Sequence, residues 1–144
     1  MENVKKILNK EVANFAVLYI KLHNYHWYVK GKQFFTLHAK FEELYDAVTG
    51  YLDEVAERLL MVGGRPAATM KEYLELATIK EAGGNETTED MIKTLVKDFD
   101  AIIAELAEGI KAANEAGDDV TADMFTSISG ELQKNNWMLK TYLE

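Results

Sequence analysis

The sequence of 144 residues contains no cysteine and a single proline, Pro66. The lack of cysteine excludes disulfide bonds and thiolate metal ligands, so any bound metal must be held by nitrogen and oxygen atoms. It also favours an intracellular protein. With one proline and nine glycines, the chain has long uninterrupted stretches. These stretches favour long helices over the many short strands of a β-sandwich.

Long hydrophobic runs are also lacking. The apolar run near the N-terminus covers only the six residues 15–20, which is too short for a signal sequence or a membrane span. We therefore predict a soluble, unprocessed, cytoplasmic protein that does not associate with membranes. The length fits one domain, which we predict to extend over residues 1–144.

Basic residues are in deficit. The chain has 16 Lys and Arg against 24 Asp and Glu, which gives a net charge of −8 at pH 7. A protein that binds a phosphate backbone generally needs clustered Lys and Arg, and neither end of the sequence carries a basic tail. Direct DNA binding is therefore not expected, and cations are the more suitable ligands.

Apolar residues recur every three or four positions in four segments, a period that predicts amphipathic helices. The predicted long helices cover residues 4–29, 37–62, 87–113 and 118–142, and a short helix is predicted at 70–76. Thr87 with Asp90 three residues later is a start signal for the third long helix, and Asp118 or Asp119 can cap the fourth. The first two long helices should each measure about 40 Å.

Two helical hairpins joined by a long connection predict an all-α fold. The arrangement is that of a ferritin-like four-helix bundle with one crossover and a short extra helix in the connection between the second and third long helices. The alternative on pattern alone is a pair of coiled-coil hairpins that do not share a core.

A polar stripe accompanies the apolar stripe of the second predicted helix. Its positions are spaced by four, four, three, four and four residues: His38, Glu42, Asp46, Thr49, Asp53 and Glu57. Two pairs of carboxylates in the stripe lie one turn apart, where like charges cost about 0.2–0.5 kcal/mol per pair. A bound cation would remove this repulsion, so one interpretation is a metal-binding surface. The other interpretation is an ordinary solvated helix face.

All three histidines lie near the turn between the first two helices. Reflection of the second helix across this turn places His38 opposite His26, so these two side chains can meet one ion. The favoured interpretation of His23 is a hydrogen-bonded histidine of the core.

The carboxylates at the far end of the stripe cannot join these histidines within one subunit. Asp53 is about 22 Å from His38 along the same helix, and Glu57 is farther still. If the helix packs antiparallel against its copy about a two-fold axis near residues 46–48, His38 of one chain faces both carboxylates of the partner subunit. The predicted metal site is therefore interfacial and occurs twice per dimer.

Three strings along the chain are similar to a known signature. They are His23-Asn24-Tyr25-His26-Trp27-Tyr28, Phe34-Phe35-Thr36-Leu37-His38 and Leu52-Asp53-Glu54-Val55-Ala56-Glu57-Arg58-Leu59. In this order and at these intervals they resemble the Dps-like mini-ferritins, and the resemblance covers nearly the whole chain. The Glu-x-x-His pairs that form the within-subunit site of other ferritins are absent, which favours this branch.

The resemblance implies a cytoplasmic iron-storage protein that forms a hollow dodecamer built from two-fold dimers. It implies a ferroxidase that oxidises Fe(II), preferentially with hydrogen peroxide, and stores the ferric mineral inside, which limits Fenton damage under oxidative stress. The implied site holds two iron ions between His26 and His38 of one chain and Asp53 and Glu57 of the partner subunit. Zinc is a possible substitute for iron. Trp27 either exchanges an electron during oxidation or serves only in packing.

The resemblance also implies a three-fold pore near the start of the last helix. Asp119 and Asp123 are the candidate pore residues, because three copies of each would focus negative potential on arriving cations. Helix capping is the alternative interpretation of Asp118 and Asp119. Two rival functions stay open: a non-catalytic helical scaffold, and a DNA-coating protein, which the lack of a lysine-rich arm disfavours.

Overall fold

Four long helices and one short helix make up the structure, a computed structural model that describes residues 1–144. In chain order they are α1 (Glu2–Tyr28), α2 (Phe34–Met61), α3 (Met70–Leu76), α4 (Thr88–Glu115) and α5 (Asp119–Tyr142). The chain contains no strand. The predicted all-α class is confirmed, and α3 has the predicted bounds.

The helices form two hairpins that share one core. α1 packs along α2 and α4 packs along α5, while α1 also contacts α4, and α3 lies on α1 within the long connection. A single cluster of 32 buried side chains draws on all four long helices, with Phe15, Phe41, Phe99 and Phe125 among its largest members. The ferritin-like bundle with one crossover is confirmed, because separate coiled-coil hairpins would have two cores.

The ends of the helices follow local chemistry. Thr87 and Asp90 form a reciprocal capping box at the start of α4, and Asp118 caps α5 by accepting a hydrogen bond from the Thr121 N–H. α2 begins three residues before the predicted start, at Phe34. The Phe34 ring stacks on the His38 ring one turn later in the same helix, a local aromatic contact that a stripe of apolar residues does not register.

Several large apolar side chains lie on the outside of the chain. Those at least 59% exposed are Trp27, Tyr28, Phe35, Leu60, Met61, Met70, Val120 and Trp137. Three of these side chains, Trp27, Tyr28 and Phe35, are aromatic and belong to the end of α1 and the start of α2. None of the helices is both long and apolar enough to cross a membrane.

Candidate metal centre

The long helix α2 carries three of the four predicted metal ligands, and α1 carries the fourth, His26. His38 lies one turn after its start, and Asp53 and Glu57 lie in its second half, with the helix unbroken between them. Within one chain, no three His, Asp or Glu side chains converge closely enough to hold a metal ion. His38 therefore stays apart from Asp53 and Glu57 of the same chain.

His26 and His38 form a reciprocal pair across the α1–α2 hairpin. Their rings stack with centroids 3.7 Å apart and planes within 12°. His26 Nδ1 lies 2.6 Å from the His38 carbonyl oxygen, and His38 Nδ1 lies 2.7 Å from the His26 carbonyl oxygen. Because a carbonyl oxygen only accepts, each Nδ1 carries the hydrogen and each Nε2 keeps a free lone pair. This is the tautomer that a histidine ligand uses when it binds a metal through Nε2.

Two aromatic side chains hold the histidine pair from its ends. The Phe34 ring stacks on His38 at 4.9 Å, and Tyr45 meets His26 edge-on at 5.3 Å. Neither residue was predicted from the sequence to belong to the site. Their spacing indicates a shared position, because Phe34, His38 and Tyr45 follow one another at intervals of four and seven residues and so lie on one face of α2.

His23 is a packed, half-buried histidine rather than a third member of the pair. Its Nδ1 lies 2.7 Å from the Tyr19 carbonyl oxygen, and its ring stacks on Tyr45 at 3.7 Å. The hydrogen bond agrees with the favoured interpretation, but the ring is half-buried and does not belong to the buried core that was predicted for it. Through Tyr45, His23 supports the ring of His26.

Glu42 lies beside the pair on the next turn of α2. Its Oε1 atom is 3.8 Å from His26 Nε2, and the side chain is 54% exposed. The distance is too long for a hydrogen bond. Glu42 belongs to the polar stripe of α2 but was not among the predicted site residues.

Asp53 and Glu57 are exposed carboxylates one turn apart, and no basic side chain pairs with either. A hydrogen bond with Asp53, followed by the repulsion of its charge, raises the pKa of Glu57 above its ordinary value. Two close carboxylates without a cationic neighbour are suited to bind a metal cation, which would stabilise the charged form of both.

Comparison with known proteins assigns the chain to a family. A family model described as a ferritin-like domain matches residues 5–144. The General stress protein 20U of Bacillus subtilis is 56% identical over 142 residues, which cover 99% of this chain and 98% of that protein. The crystal structure of Dps from Staphylococcus aureus matches with a TM-score of 0.98 at 49% identity, covering 100% of this chain and 97% of that one. The chain belongs to the Dps-like mini-ferritins.

A second relative of this mini-ferritin is named for the protection of DNA. The DNA protection during starvation protein 2 of Bacillus anthracis is 50% identical over 142 residues, which cover 99% of this chain and 97% of that protein. The family resemblance of the sequence is thereby confirmed over almost the full length of both proteins.

Trp27 of the mini-ferritin lies next to the site but outside the core. Its indole is 65% exposed, and its nearest aromatic neighbour is His23, at a centroid distance of 5.4 Å. Within one chain the indole therefore packs on one side only. Both the redox and the packing interpretation of Trp27 remain predictions, and the packing interpretation requires a second subunit.

The acidic residues at the start of α5 divide into two kinds. Burial alone would raise the pKa of Asp118, but hydrogen bonds from Thr121 and the ion pair with Arg58, at 2.7 Å, hold that pKa below its ordinary value. Asp119 and Asp123 are exposed, lie one turn apart and have no ion pair. The capping interpretation therefore holds for Asp118, whereas the charges of Asp119 and Asp123 are not neutralised within the chain.

Proposed function

We propose that this mini-ferritin is a ferroxidase that binds and oxidises Fe(II) at paired sites on a two-fold interface. The observation that carries the proposal is the His26–His38 pair, whose two Nδ1 atoms face carbonyl oxygens while both Nε2 atoms are free for a metal. A pair needed only for packing would not require this shared tautomer. Relatives that bear the Dps name support iron as the metal.

Each site takes ligands from two subunits. His26 and His38 come from one chain, and Asp53 and Glu57 of the partner subunit complete the set. Asp53 is suited to bind the tighter iron ion or to bridge both ions, and Glu57 completes the shell of the first. His38 shares that ion, and His26 holds the second. A set of nitrogen and oxygen ligands without thiolate suits iron and also admits zinc.

The chemistry explains why two ions are needed. Two Fe(II) ions supply two electrons to one hydrogen peroxide, which with two protons becomes two water molecules and leaves two Fe(III) ions. A single Fe(II) supplies one electron and releases a hydroxyl radical, the damaging product of Fenton chemistry. A paired site therefore removes iron and peroxide together and limits oxidative damage.

The middle of α2 is suited to a close antiparallel contact. Gly50 lies in this exposed part of the helix, and a Cβ added there would meet nothing within 4 Å. A glycine costs a helix interior about 1 kcal/mol relative to alanine, a cost that a close helix–helix approach can offset. A two-fold axis near residues 46–48 would place Gly50 in that contact.

The assembly that fits these sites is a hollow dodecamer of two-fold dimers that stores ferric mineral inside. The exposed apolar side chains support contacts beyond a single chain. Asp119 and Asp123 are suited to line a three-fold pore that draws cations inward. The net charge of −8 supports protection of DNA by removal of iron and peroxide rather than by direct binding.

Anaerobic Fe(II) titration followed by peroxide tests the proposal. The wild-type assembly should bind Fe(II) saturably and give ferric absorbance when peroxide is added. Asp53→Ala should bind less Fe(II) and oxidise it more slowly, whereas Glu54→Ala, at the neighbouring exposed carboxylate of α2, should behave like wild type. Absence of saturable binding in the wild type would favour a non-catalytic scaffold instead.

A further inference from the structure

A second group of polar side chains, two of them carboxyls, lies away from the metal centre, where α1, α4 and the connection after α3 meet. We call it the Glu11 cluster, and it consists of Glu11, Asn14, Thr78 and Glu105. Glu11 is fully buried, and its Oε2 atom has no hydrogen-bond partner. A buried carboxyl oxygen without a partner is costly, and nothing in the proposed iron chemistry uses it.

Asn14 sits at the middle of the cluster. Its Nδ2 lies 3.2 Å from Glu11 Oε1, and 3.0 Å from both Glu105 Oε1 and Thr78 Oγ1. Its Oδ1 accepts hydrogen bonds from the Thr78 N–H at 2.8 Å and the Ile79 N–H at 3.3 Å. These two backbone donors fix which side of the amide is oxygen. The amide NH₂ therefore fills the space between the carboxyls, where a metal ion would have to sit.

The cluster ties the connection to two helices. Thr78 and Ile79 are bound to α1 through Asn14, and the Thr78 hydroxyl lies 2.7 Å from Glu105 Oε1 on α4. These contacts fasten the chain directly after α3. A change in the charge of the cluster should therefore change how tightly this segment is held to α1 and α4.

The charges around Glu11 favour its protonated form. α4 presents Glu105 and Glu108, and α1 presents Lys10, which lies 3.5 Å from Glu105 Oε2. The connection contributes only the neutral Thr78. Burial, and then the charge of Glu105, raise the pKa of Glu11 from its ordinary 4.5 to about 8, and the Asn14 hydrogen bond and Lys10 offset only part of this rise.

We propose that the Glu11 cluster is a proton-dependent latch, which holds the segment after α3 against α1 and α4 while Glu11 carries a proton. Opening of the latch hydrates Glu11, so that its pKa returns toward 4.5 and the proton is released. The equilibrium constant for opening therefore increases as the pH rises from 4.5 to about 8, by at most about tenfold per pH unit, and stays constant above that range. The latch is independent of the metal centre.

Hydrogen exchange on the full-length assembly, followed by mass spectrometry at pH 5.5, 6.5 and 7.5, tests the latch. The Ala67 amide is a matched internal control, because it donates to Asn9 Oδ1 at 2.8 Å in the same connection. After correction for the intrinsic exchange rate, protection of Thr78 and Ile79 should fall as the pH rises, by up to about tenfold per unit. Protection of Ala67 should not follow this trend.

Two variants assign the effect to Glu11. Glu11→Gln keeps the shape of the neutral acid and cannot ionise, so the pH dependence of Thr78 and Ile79 should disappear. Glu105→Gln removes the nearest charge and lowers the pKa of Glu11, so protection should level off at a lower pH. A flat wild-type profile, or the same fall in Glu11→Gln, would overturn the latch. If Glu11→Gln does not fold, an unchanged profile in Glu105→Gln overturns it.

Discussion

His26 and His38 each bind the backbone carbonyl oxygen of the other through Nδ1, at 2.6 and 2.7 Å. The backbone carbonyl of each histidine thus fixes the tautomer of the other, and the stacking of the two rings at 3.7 Å restrains their orientation. Partners of this kind typically change metal affinity by about 10- to 100-fold when they are lost. The pair therefore acts as one unit, and its members should not contribute independently.

Removal of the His38 ring should accordingly loosen the His26 ring, because the two rings stack at 3.7 Å. We expect His38→Ala to weaken Fe(II) or Zn(II) binding by about 100-fold or more, because it removes one ligand and the ring against which His26 packs, while the carbonyl oxygen of residue 38 that accepts from His26 Nδ1 is kept. Calorimetric titration of the assembled protein measures the affinity. The double variant with His26→Ala should lose less affinity than the sum of the two single losses, and fully additive losses would contradict the coupling.

Mixed assemblies should reveal that each site spans two chains. Neither His38→Ala nor Asp53→Ala should have an intact site when assembled alone. Random pairing of the two variants in equal amounts should restore about one quarter of the sites, because half the dimers are mixed and each of these has one intact site. Fe(II) oxidation rates after co-refolding measure the recovery. No recovery in verified mixed dimers would indicate sites contained within one chain.

Tyr45 should act through the shape of its ring. It meets the His26 ring edge-on at 5.3 Å and stacks on His23 at 3.7 Å. We expect Tyr45→Ala to lower Co(II) affinity by about tenfold and to alter the Co(II) absorption spectrum, since His26 loses its support. Tyr45→Phe keeps the ring and should retain the wild-type spectrum. A wild-type spectrum in Tyr45→Ala would show that the support is not needed.

A buried glycine of α4 and an exposed glycine of α5 should respond oppositely to alanine. A Cβ at Gly109 would lie 2.5 Å from Phe125 Cε2, whereas a Cβ at Gly130 meets nothing within 4 Å. We expect Gly109→Ala to lower the free energy of unfolding by about 1–3 kcal/mol through overpacking. Gly130→Ala should raise it by about 0.5–1 kcal/mol in a single chain through helix propensity. Chemical denaturation under conditions that dissociate the assembly compares the two variants.

The buried Glu11 should make stability depend on pH. Its pKa is about 8 in the folded chain against an ordinary 4.5, so the folded state retains a proton that the unfolded state releases between these values. Its contribution to the free energy of unfolding is therefore greatest below pH 4.5 and declines as the pH rises toward 8, by at most a few kcal/mol. Glu11→Gln should lack this decline. Denaturation at pH 5 and pH 8 measures the difference, and a larger decline in the variant would contradict it.

Much of the fold follows from local patterns in the chain. The period of the apolar residues and the few breakers predict four long helices, and the capping chemistry of Thr87 and Asp118 places two of their starts correctly. The start of α2 was missed, because Phe34 joins the helix through a contact with His38 that apolar periodicity does not contain.

The contact between His26 and His38 was predictable from the sequence, whereas its stacked, reciprocally hydrogen-bonded geometry was not. A short turn between two antiparallel helices is enough to place His38 opposite His26. The roles of Phe34 and Tyr45 were not assigned, since an aromatic residue at helical spacing is equally compatible with an ordinary core position.

The constant rise of an α-helix explains why the separation of His38 and Asp53 can be known from the chain alone: fifteen residues of unbroken α2 are about 22 Å long in any packing. The reciprocal histidine hydrogen bonds and the burial of Glu11 have no such local cause. They depend on side-chain rotamers and on segments up to 94 residues apart, such as Glu11 and Glu105. Only the packed bundle brings those atoms together.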